Sequence, residues 1–182
     1  MPKQPFLTDV RLIRERARRH IEQGAVTHGY GVDRESAIRL LNDALATEIV
    51  CVLRYKRHHF TASGISAQSV ARQLLEHANE EQRHADAIAE RIVQIGGAPD
   101  LDPATLVARS HAEYVAGDSL LQMLREDLIA ERIAIDSYRE MIGFFGGGDP
   151  TTRCLLEGIL AAEEEHAEDI SSLLDELGPR RA

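Results

Sequence analysis

From Asp33 onward, apolar residues recur three and four positions apart, the spacing that keeps side chains on one face of an α-helix. Four such stripes run along the chain. The first joins Ile38, Leu41, Leu45, Val52 and Tyr55, and the second Val70, Leu74, Ile88 and Ile95. The third joins Leu120, Leu124, Ala134 and Tyr138, and the fourth Leu156, Ile159, Ile170, Leu173 and Leu177. Punctuation between them agrees with four helices. Asp33 can cap a helix to about His59, which the stretch Thr61–Ser66 breaks. Ser66 can cap a second that ends at Gly96 and Gly97. A third runs from about Asp118 to Phe145 and stops at Gly146–Gly148. Asp149 caps a fourth, with Pro150 at its first position and Gly178–Pro179 at its end.

Link lengths set the topology. Short links make the first and second helices an antiparallel pair, and likewise the third and fourth. About twenty residues, Ala98–Gly117, separate the pairs and have room for one helical turn. A simple up-down bundle would not need them. The expected fold is therefore all-α, a four-helix bundle with one long crossover. Residues 1–31 stand apart from this bundle domain, residues 32–182. Within the extension, Leu12–Gln23 reads as a short basic helix and Gly24–Gly31 as a linker.

Composition narrows the class. The 182 residues suit one domain, and with 4% aromatics and no Trp they favour helices over sheet. A net charge of −9 argues against bulk nucleic-acid binding and would attract cations. Cys51 and Cys154 cannot make a disulfide framework, so a reducing compartment is expected. The opening residues lack the continuous apolar stretch of a signal peptide, and no apolar run approaches the roughly 20 residues that span a bilayer. A soluble, cytoplasmic protein is expected.

Charge interrupts every stripe near mid-helix. Glu48 falls on the first, His77, Glu81 and His84 on the second, Asp127 and Glu131 on the third, Glu163 and His166 on the fourth. Glu81–His84 and Glu163–His166 repeat one spacing, Glu-x-x-His, which places both side chains about 60° apart around a helix axis. Both can reach one point inside a bundle. Glu80 and Glu164 sit off that face. One inward glutamate alone is more often an exposed residue one position out of register. Four on four helices, two of them with histidine, form a conjunction that chance does not readily supply. Buried unpaired carboxylates cost several kcal/mol each after relaxation. Two divalent cations would cancel Glu48, Glu81, Glu131 and Glu163, with His84 and His166 completing the two sites. Mixed carboxylate and imidazole donors suit iron or manganese, with zinc possible.

At these residues the chain resembles the ferritin superfamily, specifically bacterioferritin-like and Dps-like proteins, whose dinuclear centres use this donor pattern. The resemblance covers about Asp33 to Leu177. It is carried by LNDALATEIVCVLRY, HANEEQRHADAIAERIVQIGGAPD, REDLIAERIAIDSYREMIGFF and LLEGILAAEEEHAEDISSLLDEL. It implies that Glu48 and His84 are terminal ligands to one iron, Glu131 and His166 to the other, and that Glu81 and Glu163 bridge them. Tyr55 matches a family tyrosine close to the metals. The implied activity is ferroxidase chemistry, Fe(II) oxidation by O2 or H2O2, followed by ferric storage in a hollow shell. Gln82 stands where bacterioferritins carry a haem-ligating Met, so haem is not expected. Only Gly178–Ala182 follow the last stripe, without the short fifth helix of 24-subunit ferritins. That favours a homo-oligomer of twelve, although the usual Dps site lies between subunits and here all six donors share one chain. The match is to a Dps-like subgroup with a bacterioferritin-type centre, some of whose members carry a cysteine pair near the metals. A DNA-binding shell protein and a non-storing di-iron or di-manganese peroxidase are the alternatives. Rubrerythrin is not expected, because no Cys-x-x-Cys occurs.

Residues 1–20 carry six basic side chains against Asp9 and Glu15. They could hold DNA, or pack on a shell or neighbour through Leu12, Ile13 and Ile21. Asp127 could orient a ligand histidine or pair with Arg125 or Arg132. His77 could support the centre or sit as an ordinary core histidine. His20, His28, His58, His59 and His111 show no partner spacing. Cys51 and Cys154 read as small core residues, too far apart along parallel helices for a disulfide.

Overall fold

The computed structural model of the chain describes residues 9–64 and 67–177, and every element among them is helical. A short helix α1 (Val10–Arg16) and a 3-10 turn (Ile21–Gln23) precede four long helices and one short one. These are α2 (Arg34–Thr61), α3 (Ala67–Gln94), α4 (Leu106–Arg109), α5 (Leu120–Phe145) and α6 (Pro150–Leu177). The expected four-helix bundle is present, and α4 is the helical turn of the long connection. Ser66 and Gly178–Pro179, read as cap and stop, lie outside the described residues.

Caps set the boundaries. Asp33 accepts from the Ser36 backbone N–H at 2.9 Å, which satisfies a free donor at the start of α2. The third long helix begins at Leu120 rather than Asp118, because Ser119 serves as its cap and accepts from Gln122. Asp149 caps α6 through the Thr152 N–H at 2.9 Å while binding Arg91 with both oxygens, at 2.8 and 2.9 Å. The basic N-terminal helix is shorter than the periodicity suggests. His20 takes a left-handed backbone, φ 54°, and splits the segment into α1 and the 3-10 turn. Leu12, Ile13 and Ile21 are exposed, so they do not anchor the extension to this chain's own bundle. The linker does dock: Gly31 N–H donates to the Gly148 carbonyl at 3.0 Å. A Cβ on Gly148 would come within 2.8 Å of Gly31 oxygen, so glycine is required there.

Helices α2 and α3 pack together, as do α5 and α6, and the pairs join through α2 against α5 and α3 against α6. Glu48 meets Tyr138 and Tyr55 meets Glu131, so α2 and α5 run antiparallel. The crossover climbs along α2. Asn42 binds the Ala98 carbonyl and the Asp100 N–H, Thr47 accepts from His111, Arg54 donates to Glu113, and His58 meets the carbonyls of Val115 and Ala116. From Asn42 to His58 this spans roughly 24 Å of helix. Two apolar clusters fill the bundle's ends, one around Leu41, Leu45, Ile88, Phe145 and Leu156, the other around Tyr55, Val70, Leu74, Leu124 and Ile170. Between them lies a layer that is not apolar.

Candidate metal centre

That middle layer holds the six side chains. Glu48, Glu81, Glu131 and Glu163 are each 1–2% exposed, His166 is buried and His84 half-buried. Their donor atoms fall into two overlapping sets. Glu48, Glu81, His84 and Glu163 bring ligand atoms within 4.8 Å of one another, and so do Glu81, Glu131, Glu163 and His166. Glu81 and Glu163 belong to both. Four rigid helices thus deliver one carboxylate each, and α3 and α6 add an imidazole one turn further on.

Hydrogen bonding leaves this layer incomplete. His84 Nδ1 lies 3.1 Å from Glu163, 3.4 Å from Glu48 and 3.5 Å from Glu81. His166 Nδ1 lies 3.2 Å from Glu81 and 3.6 Å from Glu163. These are ion-pair separations without hydrogen-bond alignment. Glu48 Oε2, Glu81 Oε1, Glu163 Oε1, His84 Nδ1 and His166 Nδ1 are all buried with no hydrogen-bond partner among the described residues. Native interiors rarely strand one such atom, and here five converge. Carboxylate oxygens and imidazole nitrogens aimed at common points are the donors that iron, manganese or zinc accept. The residues present therefore fit a pair of divalent cations.

The metal-free electrostatics show the same strain. Burial, then repulsion from Glu81 and Glu163, holds the Glu48 carboxyl well above its usual range; burial and Glu163 do the same to Glu131. Burial also opposes ionisation of Glu81, but its ion pairs with His166 and His84 outweigh it and its pKa falls. Burial works against charge on the imidazoles too, yet the surrounding glutamates, Glu163 first, push His84 up to about 12 and His166 up to about 11. Without cations, protons supply the missing positive charge.

Around the six, other groups orient them. Tyr55 donates to Glu131 and Tyr138 donates to Glu48. Glu80 accepts from His166 Nε2 at 2.7 Å, which turns Nδ1 inward, and Glu164 instead pairs outside with Arg139 at 2.7 Å. Tyr138 lay on its helix's inward stripe, but nothing in the sequence told which glutamate it would meet. Asp127 binds neither a ligand histidine nor Arg125 or Arg132. It accepts from Arg54 Nε at 3.0 Å and pairs with His58 Nδ1 at 2.9 Å, all three fully buried. Arg54 and His58 are inward because the crossover carbonyls they bind lie beside α2, a contact no helical period reveals. Cys51 is buried at 6% exposure, 3.7 Å from the Arg54 guanidinium, whereas Cys154 is exposed rather than a core residue. Position 154 is off the buried face of α6, between the buried Thr152 and Leu156. Both thiols are free.

Residues 38–178 match the ferritin-like domain. The chain belongs to the ferritin-like family. Among curated members it is 33% identical over 138 residues to a nutrient stress-induced DNA-binding protein of Synechococcus, covering 74% of this chain and 78% of that one. It is 29% identical over 150 residues to a bacterioferritin of Rhodobacter capsulatus, covering 79% and 87%. Among solved structures, a dodecameric thioferritin from Bacteroides fragilis, described as bacterioferritin-related, superposes with a TM-score of 0.78 at 33% identity. That match covers 81% of this chain and 89% of the other. Among the described residues, no helix of this ferritin-like chain is long and apolar enough to cross a membrane.

Proposed function

We propose that this ferritin-like chain oxidises Fe(II) at a dinuclear centre within each subunit and stores the ferric product inside a shell of about twelve copies. The observation that carries the reading is the pair of overlapping donor sets sharing Glu81 and Glu163. Glu48 and His84 would hold one Fe(II), Glu131 and His166 the other, with Glu81 and Glu163 between them. Two Fe(II) substrates held side by side can together pass two electrons to one dioxygen or peroxide, each becoming Fe(III), without releasing a one-electron radical. The protein's part is to position and to balance charge. Four carboxylates offset the two cations while both imidazoles are neutral. Tyr55, Tyr138 and Glu80 fix the donors' orientation, and a carboxylate at 81 or 163 can shift its binding mode as the iron charge rises. Residues 32–182 would form the shell-building domain and residues 1–31 an extension.

The dodecameric state of the Bacteroides relative supports twelve copies, as does exposure of large apolar side chains such as Phe60, Leu53 and Phe144 on the bundle surface. The test adds Fe(II) anaerobically to the purified chain and then admits air or peroxide. Fast oxidation of two Fe(II) per chain, with slower uptake of many more into a dodecamer sized by light scattering, is the expected result. A monomer or dimer in solution ends the storage reading; oxidation that stops at two per chain points to a peroxidase.

A second reading rests on the exposed arginines of the extension, Arg11, Arg14, Arg18 and Arg19. They would hold DNA phosphates around the acidic body. Salt-sensitive DNA retardation, lost when residues 1–31 are deleted, is its test.

A further inference from the structure

Next to the six donors stands a histidine that the dinuclear reading does not use. His77 lies on α3 one turn before Glu81 and is 3% exposed. Its ring stacks on His166 with centroids 4.2 Å apart and planes 21° from parallel. Its Nδ1 is buried and has no hydrogen-bond partner among the described residues. Its Nε2 faces Asp169 at 3.5 Å, and that carboxylate is half-exposed.

The same arrangement describes His166. There Nδ1 is also orphaned and inward, and Nε2 binds a half-exposed acid, Glu80, at 2.7 Å. A carboxylate on one ring nitrogen fixes the tautomer so that the other nitrogen offers its lone pair, the usual preparation of a metal-binding imidazole. Among the described residues no acid pairs with the outer nitrogen of His84, so His77 carries more of this preparation than one of the six donors does. His77, Glu131 and His166 also bring ligand atoms within 4.8 Å of one another. Two donors opposite each other on one cation stand about 4 Å apart at the bond lengths of about 2.1 Å typical of imidazole and carboxylate. Only a small adjustment separates the observed geometry from a bound one.

We propose that His77, held by Asp169 and sharing Glu131 with the dinuclear pair, forms a third divalent-cation position on the α3–α6 side of the centre. It rests on the dinuclear reading, because Glu131 serves both. With Nε2 turned to Asp169 and Nδ1 turned inward, this position lies beside the pair, next to the His166 ring on which His77 stacks. Its donors, one imidazole and one shared carboxylate, are fewer than those of the pair, and it binds more weakly.

Co(II) tests this apart from turnover. The full-length protein is crystallised, soaked with Co(II), and examined by anomalous scattering at the cobalt edge, with calorimetric titration in parallel. Three peaks are expected, two among the six donors and a third on His77. In His77→Gln the third peak disappears and the other two remain. In Asp169→Asn, a milder change at a half-exposed residue, the weakest binding step loses about ten- to a hundredfold in affinity. Peaks at the pair alone in the parent protein overturn the third position and leave the pair standing. Loss of all peaks in His77→Gln also overturns it, by making His77 a positioning residue for the pair. Absence of cobalt from the six donors of the parent overturns the dinuclear reading itself.

Discussion

Tyr138 and Glu48 are hydrogen-bonded across the α5–α2 contact, and the bond has a mirror image: Tyr55 donates to Glu131. Each tyrosine stands seven residues after the glutamate of its own helix and reaches the glutamate of the other. Two antiparallel helices with one repeated spacing therefore brace each other's buried glutamates. The phenol of Tyr138 is pushed well up, first by burial and then by the cluster of carboxylates around it, so it stays the donor near neutral pH.

Removing one brace should affect one side of the centre. Tyr138→Phe leaves Glu48 without its donor, which costs about 1–3 kcal/mol in the metal-free protein. It should weaken the Glu48–His84 position about ten- to a hundredfold, while Tyr55→Phe weakens the Glu131–His166 position. Site occupancies in Co(II)-soaked crystals of the two variants measure this. Equal losses at both positions in either variant would show that the braces do not act separately.

A second prediction separates charge from fold. Burial and the neighbouring carboxylates keep Glu48 protonated well above the usual carboxylate range in the metal-free protein, and glutamine resembles a protonated glutamate. Glu48→Gln should thus keep metal-free stability within about 1 kcal/mol, since a volume-conserving change leaves packing alone. Divalent cation at a hundredfold excess over its dissociation constant should stabilise the parent by about 2.7 kcal/mol for each of the two positions. The variant should lose most of the share that comes from the Glu48–His84 position. Urea unfolding with and without Co(II) gives both numbers, and an undiminished gain would remove Glu48 from the donor set.

Much of this was legible in the sequence, and the limits were physical. Four stripes and their caps follow from local periodicity, so helix number, order and the long crossover could be read directly. The convergence of the six side chains could be read too, because each falls on the inward stripe of its helix. Pairings between helices were harder. Asp127, Arg54 and His58 meet only because the crossover lies along α2 and offers carbonyls at Glu113, Val115 and Ala116. Helical period says which face a residue occupies, not what crosses it. The extension was misread for a related reason: an amphipathic pattern from Leu12 to Gln23 does not reveal the left-handed turn at His20.

Cation binding should release protons. In the metal-free protein His84 and His166 are raised to about 12 and about 11 by their glutamates, against a reference value of 6.5. Their ion pairs contribute stability that is fully present below about pH 6.5 and is lost as pH rises toward 11–12. A cation needs neutral imidazoles, so it must displace those protons, and affinity should rise with pH between 6 and 8, a range on the order of that used for such assays. Calorimetry of Co(II) binding in buffers of different ionisation enthalpy reads the protons released. An enthalpy independent of buffer would show that both histidines are already neutral.

The crossover should depend on Arg54. Its guanidinium binds Asp127 at 3.0 Å and the Glu113 carbonyl at 2.8 Å, and it is buried with its partner. Arg54→Met removes one side of a buried pair, and breaking such pairs costs about 3–5 kcal/mol because the remaining charge is stranded. His58 still contacts Asp127 and offsets part of that cost. Asp127→Asn alone should also destabilise, but the double variant should lose less than the two single losses combined, since the stranded charge is gone. Faster hydrogen exchange at residues 111–117 in Arg54→Met, with α3 and α6 unchanged, would locate the damage at the crossover. Additive losses with uniform exchange would mean that Arg54 stabilises the bundle generally and does not clamp that segment.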